Sequence, residues 1–202
     1  MARMKYSFVL LFCALPLCAQ SVSFGIKGSV PVTGLGDIDG RSIATERWTA
    51  GATVELKLPA NLSVGVDALY RRFSYSFDNG FGSDDAKIGH WEVPVFAKYR
   101  FESIVPPYVA RPFVEAGFAF DRAHTSGTEV SSLRGPPGCC STVTTAYSSS
   151  QWGAGFLVGG GIEIKAAFLK IAPEVRYTRW QKGLFYDYLE RNQLAVLVGV
   201  RF

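Results

Sequence analysis

At 202 residues, with a formal charge of +4, 48% hydrophobic and 14% aromatic residues, the chain is long enough to form one domain. Its mean hydropathy is only slightly positive, so the apolar residues are dispersed rather than gathered into runs. After the N-terminal region no stretch approaches about 18 uninterrupted apolar residues, which excludes a transmembrane helix. The modest charge argues against a nucleic-acid partner.

Residues 1–19 read as a secretory signal peptide. Arg3 and Lys5 supply its positive end, and Phe8 to Leu17 its apolar centre, too short to span a bilayer. Cleavage is expected between Ala19 and Gln20; a lipoprotein cut before Cys18 is the rival, with Leu17 bulky for it. Loss of Arg3 and Lys5 lowers the formal charge from +4 to +2. Residues 20–202 are then a single domain, expected to be a β-barrel.

The mature chain alternates apolar and polar residues in segment after segment, the period of a strand with two unlike faces. In residues 21–32, Val22, Phe24, Ile26 and Val30 oppose Ser23, Gly25, Lys27 and Ser29. A polar loop, 33–46, follows. Residues 47–58 set Trp48, Ala50, Ala52, Val54 and Leu56 against Thr53, Glu55 and Lys57, and Pro59-Ala60-Asn61 makes a tight turn. Residues 62–77 set Val64, Val66 and Tyr70 against Asp67, Leu69 and Arg71; near Arg72 the apolar phase flips to Phe73, which predicts a bulge or exit from a membrane. A second polar loop is expected over 78–89.

Residues 90–102 oppose Trp91, Val93, Val95 and Tyr99 to Glu92, Phe96, Lys98 and Arg100, with an irregularity expected at Pro94. After a turn at 103–107, residues 108–121 oppose Val114, Phe118 and Phe120 to Arg111, Phe113, Glu115 and Asp121. The stretch 125–151 is rich in Ser, Thr and Gly and contains Gly135-Pro-Pro-Gly138; it reads as the longest loop. Residues 152–165 oppose Trp152, Phe156, Val158 and Ile162 to Gly153, Gly155, Gly159, Gly161, Glu163 and Lys165. Residues 168–180 oppose Ile171, Val175 and Tyr177 to Lys170, Glu174 and Arg176, and a fourth loop covers 183–192. The last ten residues, Gln193-Leu-Ala-Val-Leu-Val-Gly-Val-Arg-Phe202, oppose Leu194, Val196, Val198, Val200 and Phe202 to Ala195, Leu197, Gly199 and Arg201.

This predicts an all-β fold, an eight-stranded antiparallel up-and-down barrel. Long and short connections alternate, as expected when both ends of a membrane barrel lie in the periplasm. A lipocalin-like soluble barrel shares the period but needs an oily interior. Here the polar faces carry Gly, Ala and charge, which suit a narrow lumen. The predicted lumen network is Lys27, Glu55, Asp67, Arg71, Glu92, Lys98, Arg100, Arg111, Glu115, Glu163, Lys165, Glu174, Arg176 and Arg201, in which opposite signs are expected to pair. Trp48, Tyr70, Trp91, Phe120, Trp152, Tyr177 and Trp180 are predicted to form an aromatic belt at the loop end. Tyr99, Phe101, Tyr108 and Phe202 are predicted to form a second at the turn end.

Trp91-Glu-Val-Pro-Val-Phe-Ala-Lys-Tyr-Arg-Phe101, Arg111-Pro-Phe-Val-Glu-Ala-Gly-Phe-Ala-Phe120, Pro173-Glu-Val-Arg-Tyr-Thr-Arg-Trp180 and Leu197-Val-Gly-Val-Arg-Phe202 resemble the bacterial outer-membrane β-barrel domain family, the small OmpA- and OmpX-like barrels. The resemblance implies insertion by the outer-membrane barrel assembly machinery, with Phe202 as the assembly signal. It does not imply a reaction, and the expected role is structural or one of surface interaction.

No catalytic residue, metal site or cofactor is expected, and no phosphate loop or Cys-x-x-Cys pattern occurs. The expected partners are outer-membrane lipid and lipopolysaccharide, whose phosphates Arg71, Arg72, Arg122 and Arg179 could meet, and the expected state is a monomer. A narrow pore for small solutes is the alternative. A further alternative is a hydrolase: His124-Thr-Ser126 is similar to the His-x-Ser of lipid A deacylases, with Glu129 to orient the histidine, although Gly127-Thr128 stands where that family has Asn-Ala. Cys139 and Cys140 remain after signal removal. Adjacent Cα atoms lie about 3.8 Å apart, so a bond between them would be strained; two roleless loop cysteines, a labile vicinal disulfide or an intermolecular bridge all stay open.

Overall fold

A computed structural model of the chain describes residues 21–32, 42–45, 48–78, 82–103, 109–134, 140–166, 168–181 and 191–202. Residues 1–20, 104–108, 135–139 (with Cys139) and 182–190 lie outside the described residues.

Nine strands are described: β1 (Val22–Pro31), β2 (Ser42–Thr45), β3 (Thr49–Lys57), β4 (Leu62–Asp78), β5 (Gly82–Arg100), β6 (Ala110–Arg134), β7 (Cys140–Ala166), β8 (Leu169–Trp180) and β9 (Asn192–Arg201). Eight of them close a ring in which every pairing is antiparallel. The pairing runs β1–β3–β4–β5–β6–β7–β8–β9, and β9 returns to β1 through Gly25↔Arg201 to Pro31↔Ala195. Closure leaves no unpaired edge along the wall, the condition for a sheet to sit in lipid. The short β2, inside the segment read as the first polar loop, pairs with β4 at Thr45↔Phe73, beyond the end of β3.

Alternation determines the inside and the outside. Ile26 is 65% exposed and Phe118 66%, while Asp67 is 0% and Arg176 2% exposed. The apolar face therefore looks outward and the ionised face inward, the reverse of a soluble barrel.

One short turn is well defined. The Leu62 amide donates to the Pro59 carbonyl at 3.4 Å, with φ of 60° at Ala60 and 61° at Asn61. Two left-handed central residues make a type I′ turn, whose twist matches that of its flanking strands.

Three expectations are corrected. Residues 125–134 and 140–151, expected to be loop, are strand: β6 and β7 pair from His124↔Ser150 up to Arg134↔Cys140. Likewise, most of 78–89 is strand, with Ser83 to Gly89 laddered on both sides. Thr142 to Ala146 are exposed on both faces, so no alternation marked them as strand; ladder hydrogen bonds and β-favouring Thr and Val override the loop-like composition. Near Arg72 the bulge, one of the two readings, is overturned, since no residue is inserted: the β4–β5 register runs unbroken from Leu69↔Glu92 to Asp78↔Ser83. The phase flips because the inside turns apolar at that height, where Phe73 packs on Ile88, Ala119, Ala123, Leu157 and Trp180.

The irregularity at Pro94 is confined to one side. Asp67↔Pro94 and Ala68↔Val93 are missing from the β4–β5 ladder, while Pro94↔Ala119 persists. Proline has no amide to donate towards β4.

Candidate functional site

The bore is filled in layers. At its centre the Arg176 guanidinium meets Asp67 at 2.9 Å, Glu115 at 2.8 Å and Glu174 at 2.8 Å. Lys27 Nζ bridges Asp67 at 2.9 Å and Glu174 at 3.3 Å, and Lys98 reaches Glu115 at 3.1 Å. The Thr53 hydroxyl donates to Asp67 at 2.7 Å. Each carboxylate thus faces more than one cation, which offsets the cost of removing it from water. The Phe96 ring lies within 5.1 Å of Lys27 and of Lys98 and 5.4 Å of Arg176, and Lys98 sits 4.1 Å from the Phe113 ring. These aromatic faces supply further cation contacts inside the bore.

Phe96 finds room because Gly65 lies opposite it in register; a Cβ there would sit 2.5 Å from the ring. Gly153 makes the same allowance for the Asp121 carboxylate.

Below this layer, towards the short turns, Arg100 and Arg201 each bond both Glu55 and Glu163, a closed square of alternating charge. Arg100 also donates to Ser63 at 2.8 Å. Above the centre, His90 Nε2 lies 3.3 Å from Asp121, and the Arg71 guanidinium lies 5.6 Å from the Phe73 ring. Glu92 is buried at the same level. Towards the long-loop side Ile88, Ala119, Ala123, Leu157 and Trp180 form an apolar cluster that includes Phe96 of the central layer.

Of the predicted lumen residues, Arg111 is half-buried and Lys165 exposed, both at the short-turn mouth; the other twelve are buried. His90 and Asp121 belong with them and were missed as members of the network. Their parity matches Glu92 and Arg71, and that signal was available in the sequence.

The outer wall carries its own order. Tyr70, Trp91, Arg122 and Trp152 form one cross-strand row over β4 to β7. Tyr70 and Trp91 pack with ring centroids 4.9 Å apart, and the Arg122 guanidinium lies 5.0 Å from Trp152. Tyr99 and Phe101 pack edge-on at 5.1 Å near the short-turn end. From Trp91 on β5 to Phe101, one residue past its end, is ten residue steps, roughly 33 Å along the strand and about 25 Å along the axis at barrel tilt, the height of an apolar membrane band. Trp180 is corrected: it is 3% exposed inside the bore, donating its indole N–H to Gln193. Arg71 also points inward, so it cannot meet lipid phosphate; Arg72, Arg122 and Arg179 face out.

The two histidines lie on opposite faces, His90 inside and His124 outside. His124 Nδ1 meets Ser150 at 3.0 Å across the strand pair, not Ser126. Glu129, five positions from His124 along β6, has the opposite strand parity, so it does not orient that ring.

The family model described as Outer membrane protein beta-barrel domain matches residues 7–202. The sequence matches no curated protein. Among solved structures the chain is similar to Neisserial surface protein A, with 16% identity, 90% of this chain and 97% of that chain covered, and a TM-score of 0.51. Ail, the attachment invasion locus protein of Yersinia pestis, matches with 13% identity, 91% and 97% coverage and a TM-score of 0.45. The N-terminal barrel of Pseudomonas aeruginosa OprF matches with 13% identity, 91% and 99% coverage and a TM-score of 0.41.

Proposed function

Because this chain belongs to the outer membrane protein beta-barrel domain family, we propose that it is a closed, non-conducting barrel of the bacterial outer membrane that works as a surface-interaction protein. The observation that carries the reading is the length of its strands. β6 has 25 residues and β7 has 27, where about 9–11 cross a membrane at barrel tilt. The surplus, joined by the upper parts of β4 and β5, stands as a polar wall above the aromatic row. In this reading the long-loop side faces the exterior and both chain ends face the periplasm, after residues 1–19 are cleaved. Phe202 is read by the assembly machinery.

The bore supports the closed state: Arg176, Lys98, Phe96 and Phe113 are fully buried across it. The reading is neither an enzyme nor a solute channel. Arg72 and Arg122, flanking Trp91 and Trp152, are placed to meet lipopolysaccharide phosphates at the outer rim, and the barrel acts as a monomer. Planar-bilayer recording tests closure. Purified folded protein is expected to give no steps above the lipid baseline; steady single-channel currents would refute it.

A further inference from the structure

The charges of the bore balance at its centre and fail to balance at one end. Beneath the Arg100–Glu55–Arg201–Glu163 square, a recess of about 420 Å³ opens at the short-turn mouth. Lys57, Arg100, Arg111, Lys165 and Lys170 line it, against a single carboxylate, Glu163. That carboxylate is already held by Arg100 and Arg201.

The excess is built into the strand register. Lys165 stands directly opposite Lys170 across β7 and β8, and Lys170 stands opposite Arg201 across β8 and β9. Like charges directly opposite on one face repel. From β3, the Lys57 ammonium approaches that of Lys170. Among the described residues, no ion pair to a carboxylate is formed by Lys57, Lys165 or Lys170. The short connections at this end outside the described residues, 104–108 and 167, contain no Asp or Glu. Glu102, in the β5–β6 connection, is exposed and does not line the recess, so Glu163 is the one carboxylate among the described residues lining it.

We propose that this mouth is a binding site for a small multivalent oxyanion of the phosphate class. Three lysines converging from β3, β7 and β8 can each donate to a different oxygen, and Arg111 on β6 adds a fourth cation to the lining. The buried square behind them acts as a rigid floor. A monovalent anion answers only part of the charge; an orthophosphate, a pyrophosphate or a phosphomonoester answers more of it. Leu58 and Leu62 border the recess, so the phosphate can belong either to a free solute or to the headgroup of an anionic phospholipid. The site is at the opposite end from the polar wall and does not depend on what that wall binds.

Titration calorimetry of the folded protein in zwitterionic detergent, with pyrophosphate at constant ionic strength, tests this. Saturable binding is expected, at least tenfold tighter than chloride, and at least tenfold weakened in the Lys57→Ala/Lys170→Ala and Lys165→Ala variants. Lys170→Arg is expected to retain it. Lysine acetylation of the unaltered protein gives a readout independent of variant folding: pyrophosphate is expected to protect Lys57, Lys165 and Lys170 and to leave Lys87 reactive. In nanodiscs, loss of pyrophosphate binding on replacing phosphatidylcholine by phosphatidylglycerol assigns the phosphate to a lipid headgroup; retained binding assigns it to a free solute. No saturable binding in detergent, binding unchanged in the lysine variants, or protection spread evenly over all lysines would overturn the proposal.

Discussion

Arg176 is the residue on which the centre of the bore depends, because one guanidinium serves three carboxylates. Replacing it by Leu leaves Asp67, Glu115 and Glu174 with only Lys27 and Lys98, in a place water reaches poorly. Breaking a buried pair by removing one partner costs about 3–5 kcal/mol. Urea unfolding of the barrel in detergent is expected to show a loss of that size for Arg176→Leu. Glu174→Gln should cost much less, since Arg176 keeps Asp67 and Glu115. Equal losses for the two variants would mean that the network is not organised around the guanidinium. A smaller effect belongs to Ala60, a side-chain-bearing residue at φ 60°. The left-handed region costs an L-residue about 1–2 kcal/mol, of which Gly returns part as added freedom of the unfolded chain. Ala60→Gly is expected to stabilise the barrel by about 0.5–1 kcal/mol in the same assay, and Ala60→Val to destabilise it.

At the scale of the element, the β6–β7 hairpin divides into two parts with different supports. Up to the Arg122↔Trp152 pair, each strand is backed by packed side chains in the bore. Beyond Ser126↔Ser148 it has polar residues on both faces and rests on its ladder and on neighbouring β5. Tyr147 donating to Asp84 at 2.9 Å is one of the side-chain ties that remain. Joining Ser126 to Ser148 through a two-residue Asn-Gly turn should leave the wall below intact. The truncated protein is expected to keep the faster gel mobility of an unheated barrel and to lose cell-surface binding. Loss of the folded band would show that the upper hairpin is part of the folding unit.

For the whole molecule, closure of the ring and filling of the bore are one consequence of size. Eight strands enclose a space just wide enough for side chains, so every inward residue competes for it. Small residues at Gly65 and Gly153 make room for Phe96 and Asp121, and paired charges occupy what is left. If the barrel is closed as proposed, Arg176→Leu is also expected to give no single-channel steps in planar bilayers, because Phe96, Phe113 and Trp180 remain buried in the bore. The surplus positive charge escapes this packing only at the short-turn mouth, where the recess lies.

The alternation of Val22 to Val30 or of Leu194 to Phe202 is local, and by itself it determined the strands, their faces and the all-β class. The inward grouping of Lys98, Glu115 and Arg176 was legible for the same reason, since side-chain direction follows parity alone. Where a segment is solvated on both faces, as in Thr142 to Ala146, parity carries no hydrophobic signal, and only pairing with β6 decided that it is a strand. Trp180 is the converse: it shares the parity of Glu174 and Arg176, so its inward direction was legible, and an aromatic type near a strand end outweighed that signal in the belt expectation. Which cation meets which carboxylate, and which lysines meet none, depends on strand stagger. Stagger is set by closing the ring, a relation among distant segments that no local stretch of the chain contains.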